Sequence, residues 1–194
     1  MITKPMAALG LATLLLAGAA QAQTTMPNSK PATSSQMSGQ KQNVSKADQQ
    51  FLKEAIQADM AEVQVGQLAQ QKGQSEDVKQ FGQMLQQDHS QNLQQAQQLA
   101  QQHDVTAPAE PNAEQKKMYD KLSKLSGQQF DRQFAKDMVA DHKKDIAKFQ
   151  KEAKGSGPFA QFAQQTVPVL QKHLQTAQGI EKQGATVGGK AGNK

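Results

Sequence analysis

Four side chains in this chain combine the right chemistry with a spacing that lets them meet: Glu62, His89, His142 and His173. Imidazole nitrogens and a carboxylate oxygen are ligands for borderline divalent ions. Three nitrogens with one oxygen suit tetrahedral zinc, and also iron or copper. Each of the four sits in the middle of an apolar stripe that repeats at about 100° per residue, the period of a helix. Val78, Gly82, Leu85, Leu93, Ala96 and Ala100 surround His89, and Ala135, Met138, Ile146, Phe149 and Ala153 surround His142. Val169, Leu170, Ala177 and Ile180 flank His173, and Ala55 and Ala69 flank Glu62. An imidazole at the centre of such a stripe lies inside the fold, where a partner must satisfy it. The chain has four histidines; the remaining one, His103, is expected to serve a helix C-terminus.

Helices must carry these residues to one level. Helical periodicity, with Gly and Pro as stops, predicts long helices over 46–72, 75–103, 128–154 and 159–182. Gly73 makes a short turn between the first two, which are therefore antiparallel neighbours. The Ala107-Pro-Ala-Glu-Pro111 run breaks the pattern, and a short helix is expected over 113–125. That connection is long enough to cross the height of a bundle, so the second and third long helices would run parallel. A repeated register agrees: Phe81 leads to Asp88-His89 as Phe134 leads to Asp141-His142. Pro168 should kink the fourth helix one turn before His173. The expected fold is all-α, a ferritin-like four-helix bundle with a long crossover between its second and third helices. At about 1.5 Å per residue, Glu62 and the three histidines then fall within one or two turns of a common level.

Asp88 and Asp141 point about 100° away from the histidines they precede, which suits second-shell hydrogen bonds better than ligation. Asp59, one turn before Glu62, is a further carboxylate within reach, as an extra ligand or in the second shell. The same layer also fits a buried Glu–His network that fixes helix register and holds no ion. The residue types do not choose between these two readings.

The rest of the chain narrows the setting. Lys4, the apolar run 6–19 and Ala20-Gln21-Ala22 read as a signal peptide over 1–22, followed by export. Residues 23–45 are polar and Pro/Ser-rich and read as a disordered tether; 46–182 is the bundle domain; 183–194, rich in Gly and Lys, reads as a flexible tail. No cysteine exists to form a disulfide or carry a lipid. The net charge of +5 is spread among interspersed lysines and acids, without the basic stripe and aromatic platforms of a nucleic-acid binder. No transmembrane span is expected in the mature chain.

Several motifs occur together and in order: Asp48-Gln-Gln-Phe-Leu52, Met60-Ala-Glu62 through Ala69, Val78-Lys-Gln-Phe81, Asp88-His89, Phe130-Asp131, Met138-Val-Ala-Asp-His142, and Pro168 with His173-Leu174. In these the chain resembles domain-of-unknown-function family 4142, exported bacterial proteins assigned to the ferritin-like fold. The resemblance spans about 46–182 and implies a ferritin-like bundle and an envelope location, without an established activity. Di-iron bundles use Glu-x-x-His on two helices. Here Gln86, Val139 and Leu170 stand three residues before the histidines, so ferroxidase chemistry is not expected.

The expected function is a periplasmic or envelope-associated bundle binding one divalent metal through Glu62, His89, His142 and His173, in a metal-binding or envelope-stress role. The alternative is a non-catalytic structural or interaction module with an architectural Glu–His layer and an envelope protein as partner. No activated Ser or Cys and no phosphate loop speaks for an enzyme.

Overall fold

The computed structural model describes residues 44–190, with side chains through residue 184. The expected signal peptide, the tether up to residue 43 and residues 191–194 lie outside the described residues. The described residues are helical throughout their regular structure: α1 (Lys46–Lys72), α2 (Glu76–Gln102), α3 (Ala113–Ser123), α4 (Gly127–Ala153) and α5 (Ala160–Lys190). No described helix is long and apolar enough to cross a membrane.

Local chemistry sets the helix ends. Ser45 and Asp48 cap α1 reciprocally, each side chain accepting the other's backbone N–H at 3.1 Å. Asn112 and Gln115 form the same box at the start of α3. At α2 the Ser75 hydroxyl accepts the Val78 N–H, and Asp131 of α4 accepts the N–H groups of Gln74 and Ser75 at 2.9 Å each. Asp131 thus caps a helix other than its own. Gly127 opens α4 at φ +57°, a left-handed conformation that a side chain would strain. Pro168 lies inside α5 as expected, and that helix continues to Lys190 rather than stopping near 182.

The most extensive packing is between α1 and α2 and between α4 and α5, two hairpins of neighbouring helices. Gly66 and Gly82 let α1 and α2 touch backbone to backbone: a Cβ on either would stand 2.6 Å from the other's carbonyl oxygen. Two apolar clusters fill the interior. One gathers Val65, Leu68, Val78, Phe81, Leu85, Phe130, Phe134, Met138 and Ile180. The other gathers Leu52, Ile56, Ala96, Ala100, Phe149, Phe159, Phe162 and Leu170.

On every long helix the buried ionisable residues fall between the two clusters in chain order. In α1, Leu52 and Ile56 precede Asp59 and Glu62, and Val65 and Leu68 follow them; in α2, Leu85 precedes His89, and Ala96 follows. The four ionisable residues whose periodicity pointed inward are buried: Glu62 is 2 % exposed, His89 4 %, His142 1 % and His173 0 %. The bundle therefore has two apolar storeys separated by a polar floor.

Candidate metal centre

Each imidazole of the floor has one nitrogen committed to an oxygen that can only accept. His142 Nδ1 donates to the Met138 carbonyl one turn back on α4 at 3.0 Å. His173 Nε2 donates to Asp88 Oδ2 across the α2–α5 interface at 2.8 Å. His89 Nδ1 donates to Asp59 Oδ1 across α1–α2 at 2.8 Å. In the neutral ring the opposite nitrogen then carries a bare lone pair. One ring nitrogen from each of the three histidines makes a set whose members all lie within 4.8 Å of one another.

One separation matches an ion. His142 Nε2 and His173 Nδ1 are 3.3 Å apart. Zinc–nitrogen bonds of about 2.0–2.1 Å at a tetrahedral angle place neighbouring ligand nitrogens about 3.3 Å apart. With both outer nitrogens donating elsewhere, this contact brings two lone pairs together, an arrangement that needs a cation or proton beside it. His89 Nε2 is buried with no hydrogen-bond partner.

Electrostatics divides the three rings. Burial depresses His142 well below its ordinary value, and the neighbouring His89 and His173 add to this. Burial, again helped by His89, brings His173 down to about 4 against the pull of Asp88. Both are neutral near pH 7, the ligand form. Burial also works against a charge on His89, but the Asp59 hydrogen bond and the charges of Glu62 and Asp59 outweigh it, and its pKa is raised. A proton on His89 is the natural competitor of a metal ion here.

Glu62 is in the layer but not among the converging nitrogens. Its Oε1 is 4.0 Å from His142 Nδ1, the nitrogen already given to Met138. Both its oxygens are buried without a hydrogen-bond partner. Burial pushes its carboxyl up to about 8, with His89 pulling down and Asp141, Asp145 and Asp59 pushing further up. A buried carboxyl with no donor beside it stays protonated unless a cation arrives.

The three expected supporting aspartates separate. Asp59 is 2 % exposed and holds His89, and Asp88 holds His173. Asp141 instead lines a recess between α3 and α4 with Glu114, Lys144 and Asp145, and no hydrogen bond among those described joins it to a histidine. Its fully stepped-round position on the helix explains this: the residue before an inward histidine faces whichever neighbour lies on that side. For Asp88 that neighbour is α5; for Asp141 it is the α3 side. His103 is the C-cap of α2 and packs edge-on to the Phe159 ring at 5.2 Å.

Two partners were not anticipated. Asn92 donates to both oxygens of Asp59, at 3.1 and 2.9 Å, and Thr166 donates to Asn92 Oδ1 at 2.9 Å. Asn92 lies three residues after His89 and Thr166 seven before His173, so helical spacing alone put each on the histidine's face. In a chain so rich in uncharged amides, one Asn does not stand out.

The family model described as "Domain of unknown function (DUF4142)" matches residues 33–180. No curated protein and no solved structure matches the chain.

Proposed function

The chain belongs to the DUF4142 family, and we propose that it is an exported helical bundle that binds one divalent metal ion through His89, His142 and His173. Glu62 stands as the adjacent carboxylate that balances the ion's charge or completes its shell. The observation that carries this reading is the hydrogen-bond pattern. Three buried imidazoles each spend one nitrogen on a fixed acceptor, the free nitrogens of His142 and His173 meet at 3.3 Å, and ring nitrogens of all three lie within 4.8 Å of one another. Carboxylates and carbonyls behind ligating histidines hold them in this way in metal sites. Three nitrogens favour zinc, with copper or iron as competitors.

A ferritin-like plan with a long crossover is part of the proposal. Gln74 and Ser75, before α2, meet Asp131 near the start of α4, while His103 after α2 meets Phe159 before α5. These contacts support α2 and α4 starting at one end, so that the 103–126 connection travels the height of the bundle. Export to the periplasm or cell envelope rests on the signal-peptide pattern, and a role in envelope stress protection is the use such an ion site would have there.

The test is metal analysis of purified protein after exposure to zinc, iron and copper salts, with and without His142→Ala. One equivalent is expected in the native chain and a large loss in the variant. EDTA should lower the melting temperature of the loaded protein, since an ion that binds the folded state alone stabilises it. The competing reading is a register-fixing network in a structural or interaction module. The Asp59–His89 and Asp88–His173 pairs favour it, because each ties two helices together. Under that reading no metal is retained and EDTA changes nothing.

A further inference from the structure

Two of the three imidazoles reach a cleft. It encloses about 150 Å³ between α2 and α5, with His89 and His173 at its base and Asp88, Asn92, Gln95, Gln165 and Thr166 among its walls. His142 does not line it. Glu62 has its close contact with a histidine at Nδ1 of His142 and does not line the cleft.

Three protein nitrogens leave a tetrahedral ion one position short, and metal sites with three protein ligands keep that position for water or substrate. The cleft walls suit an oxygen donor. Its polar groups are amides and a hydroxyl, set beside Val169 and Leu170, with Asp88 already engaged by His173. The Thr166 hydroxyl has one proton and two acceptors at 2.9 Å, the Phe162 carbonyl and Asn92 Oδ1. Thr166, Asn92, Asp59 and His89 thus form an unbroken chain of hydrogen bonds across α5, α2 and α1. One wall of the cleft is mechanically tied to a ligand imidazole.

We propose that the α2–α5 cleft is a ligand site, through which a small oxygen-donor molecule, water or a carboxylate-sized anion, reaches an ion on the three histidines and takes its remaining position. This rests on the metal reading above and extends it: the centre is open on one side, not a closed structural clasp. The size of the cleft limits the ligand to a few heavy atoms, and its amides offer them hydrogen bonds beside the apolar Val169 and Leu170.

Azide is a suitable probe, because it is small, anionic and changes the visible spectrum of a cobalt(II) centre when it binds the ion. The native chain is loaded with cobalt(II), its metal content is measured, and azide is titrated in. A saturable spectral change at one equivalent is expected. Gln165→Trp and Gln95→Trp, both at exposed positions on the cleft, should keep the cobalt and weaken azide by about tenfold or more. Cobalt bound without any azide response overturns the cleft proposal and leaves the metal reading standing; no cobalt or zinc bound overturns both. An azide response that appears only in Glu62→Gln also overturns it, since Glu62 would then be the occupant of that position. Unchanged azide affinity in both Trp variants, with circular dichroism of the native chain, overturns the assignment to this cleft.

Discussion

The apolar storeys and the polar floor between them answer to different physics. In the storeys, Phe130 stacks on Phe134 with centroids 5.6 Å apart, and Phe81 meets Phe134 at 5.7 Å. Such rings are held by area removed from water and by close contact, and nothing about them depends on pH. On the floor, Glu62 and His89 hold buried polar atoms with no partner. Those groups oppose folding until an ion or proton meets them. The storeys supply the stability that lets the floor remain unsatisfied, and the difference teaches where to look for function: at the layer that is worst packed as a core.

Mutations can separate the two regions, and the largest effect is expected in a storey. Phe134→Ala should cost about 3–5 kcal/mol in denaturant unfolding, by the same amount at pH 5 and pH 9 and with or without metal. A loss that varied with pH or with zinc would blur the distinction. Next, Gly66→Ala drives a methyl to within 2.6 Å of the Gly82 carbonyl oxygen, so α1 and α2 must part. A loss of about 1–3 kcal/mol is expected, again insensitive to pH.

Floor variants should instead show pH dependence. Glu62 has its pKa raised to about 8. Its contribution is fully present below its unfolded value near 4.5 and is lost as pH rises through about 8. His173, lowered to about 4, contributes above its unfolded value near 6.5 and loses that contribution as pH falls through about 4. Metal-free protein should therefore weaken on both sides of a mildly acidic to neutral optimum. Glu62→Gln should shrink the alkaline limb, to which the raised His89 also contributes, and leave the acid limb in place, making the metal-free variant more stable than the native chain at pH 9; thermal melts across pH 4–9 would show it. The smallest shift in stability separates the aspartates. Asp59→Asn should weaken zinc about 10–100-fold, as loss of a group orienting a ligand histidine does, whereas Asp141→Asn should leave zinc affinity nearly unchanged. Calorimetric titration of both variants would decide it.

Much of this was legible in the sequence because helical period is a strong signal. It put Glu62, His89, His142 and His173 inward. The ordered motifs marked the family. What periodicity does not carry is contact between helices. It could not tell that Asp88 would find His173 while Asp141 found α3, since the two stand in the same place relative to their histidines. Nor could it reveal that Asp131 would cap α2 from another helix, or that Glu62 would face the committed nitrogen of His142. Those outcomes depend on which neighbour stands beside each face.

The two hairpins divide the imidazoles unequally: α2 brings one and the α4–α5 pair brings two. Contacts close in sequence form early in folding, so each hairpin can assemble before the other is in place. Neither alone can grip an ion with all three rings. On the proposed metal reading, uptake would wait for the halves to dock, and a partly assembled chain would remain empty, so that loading would time the last step of folding.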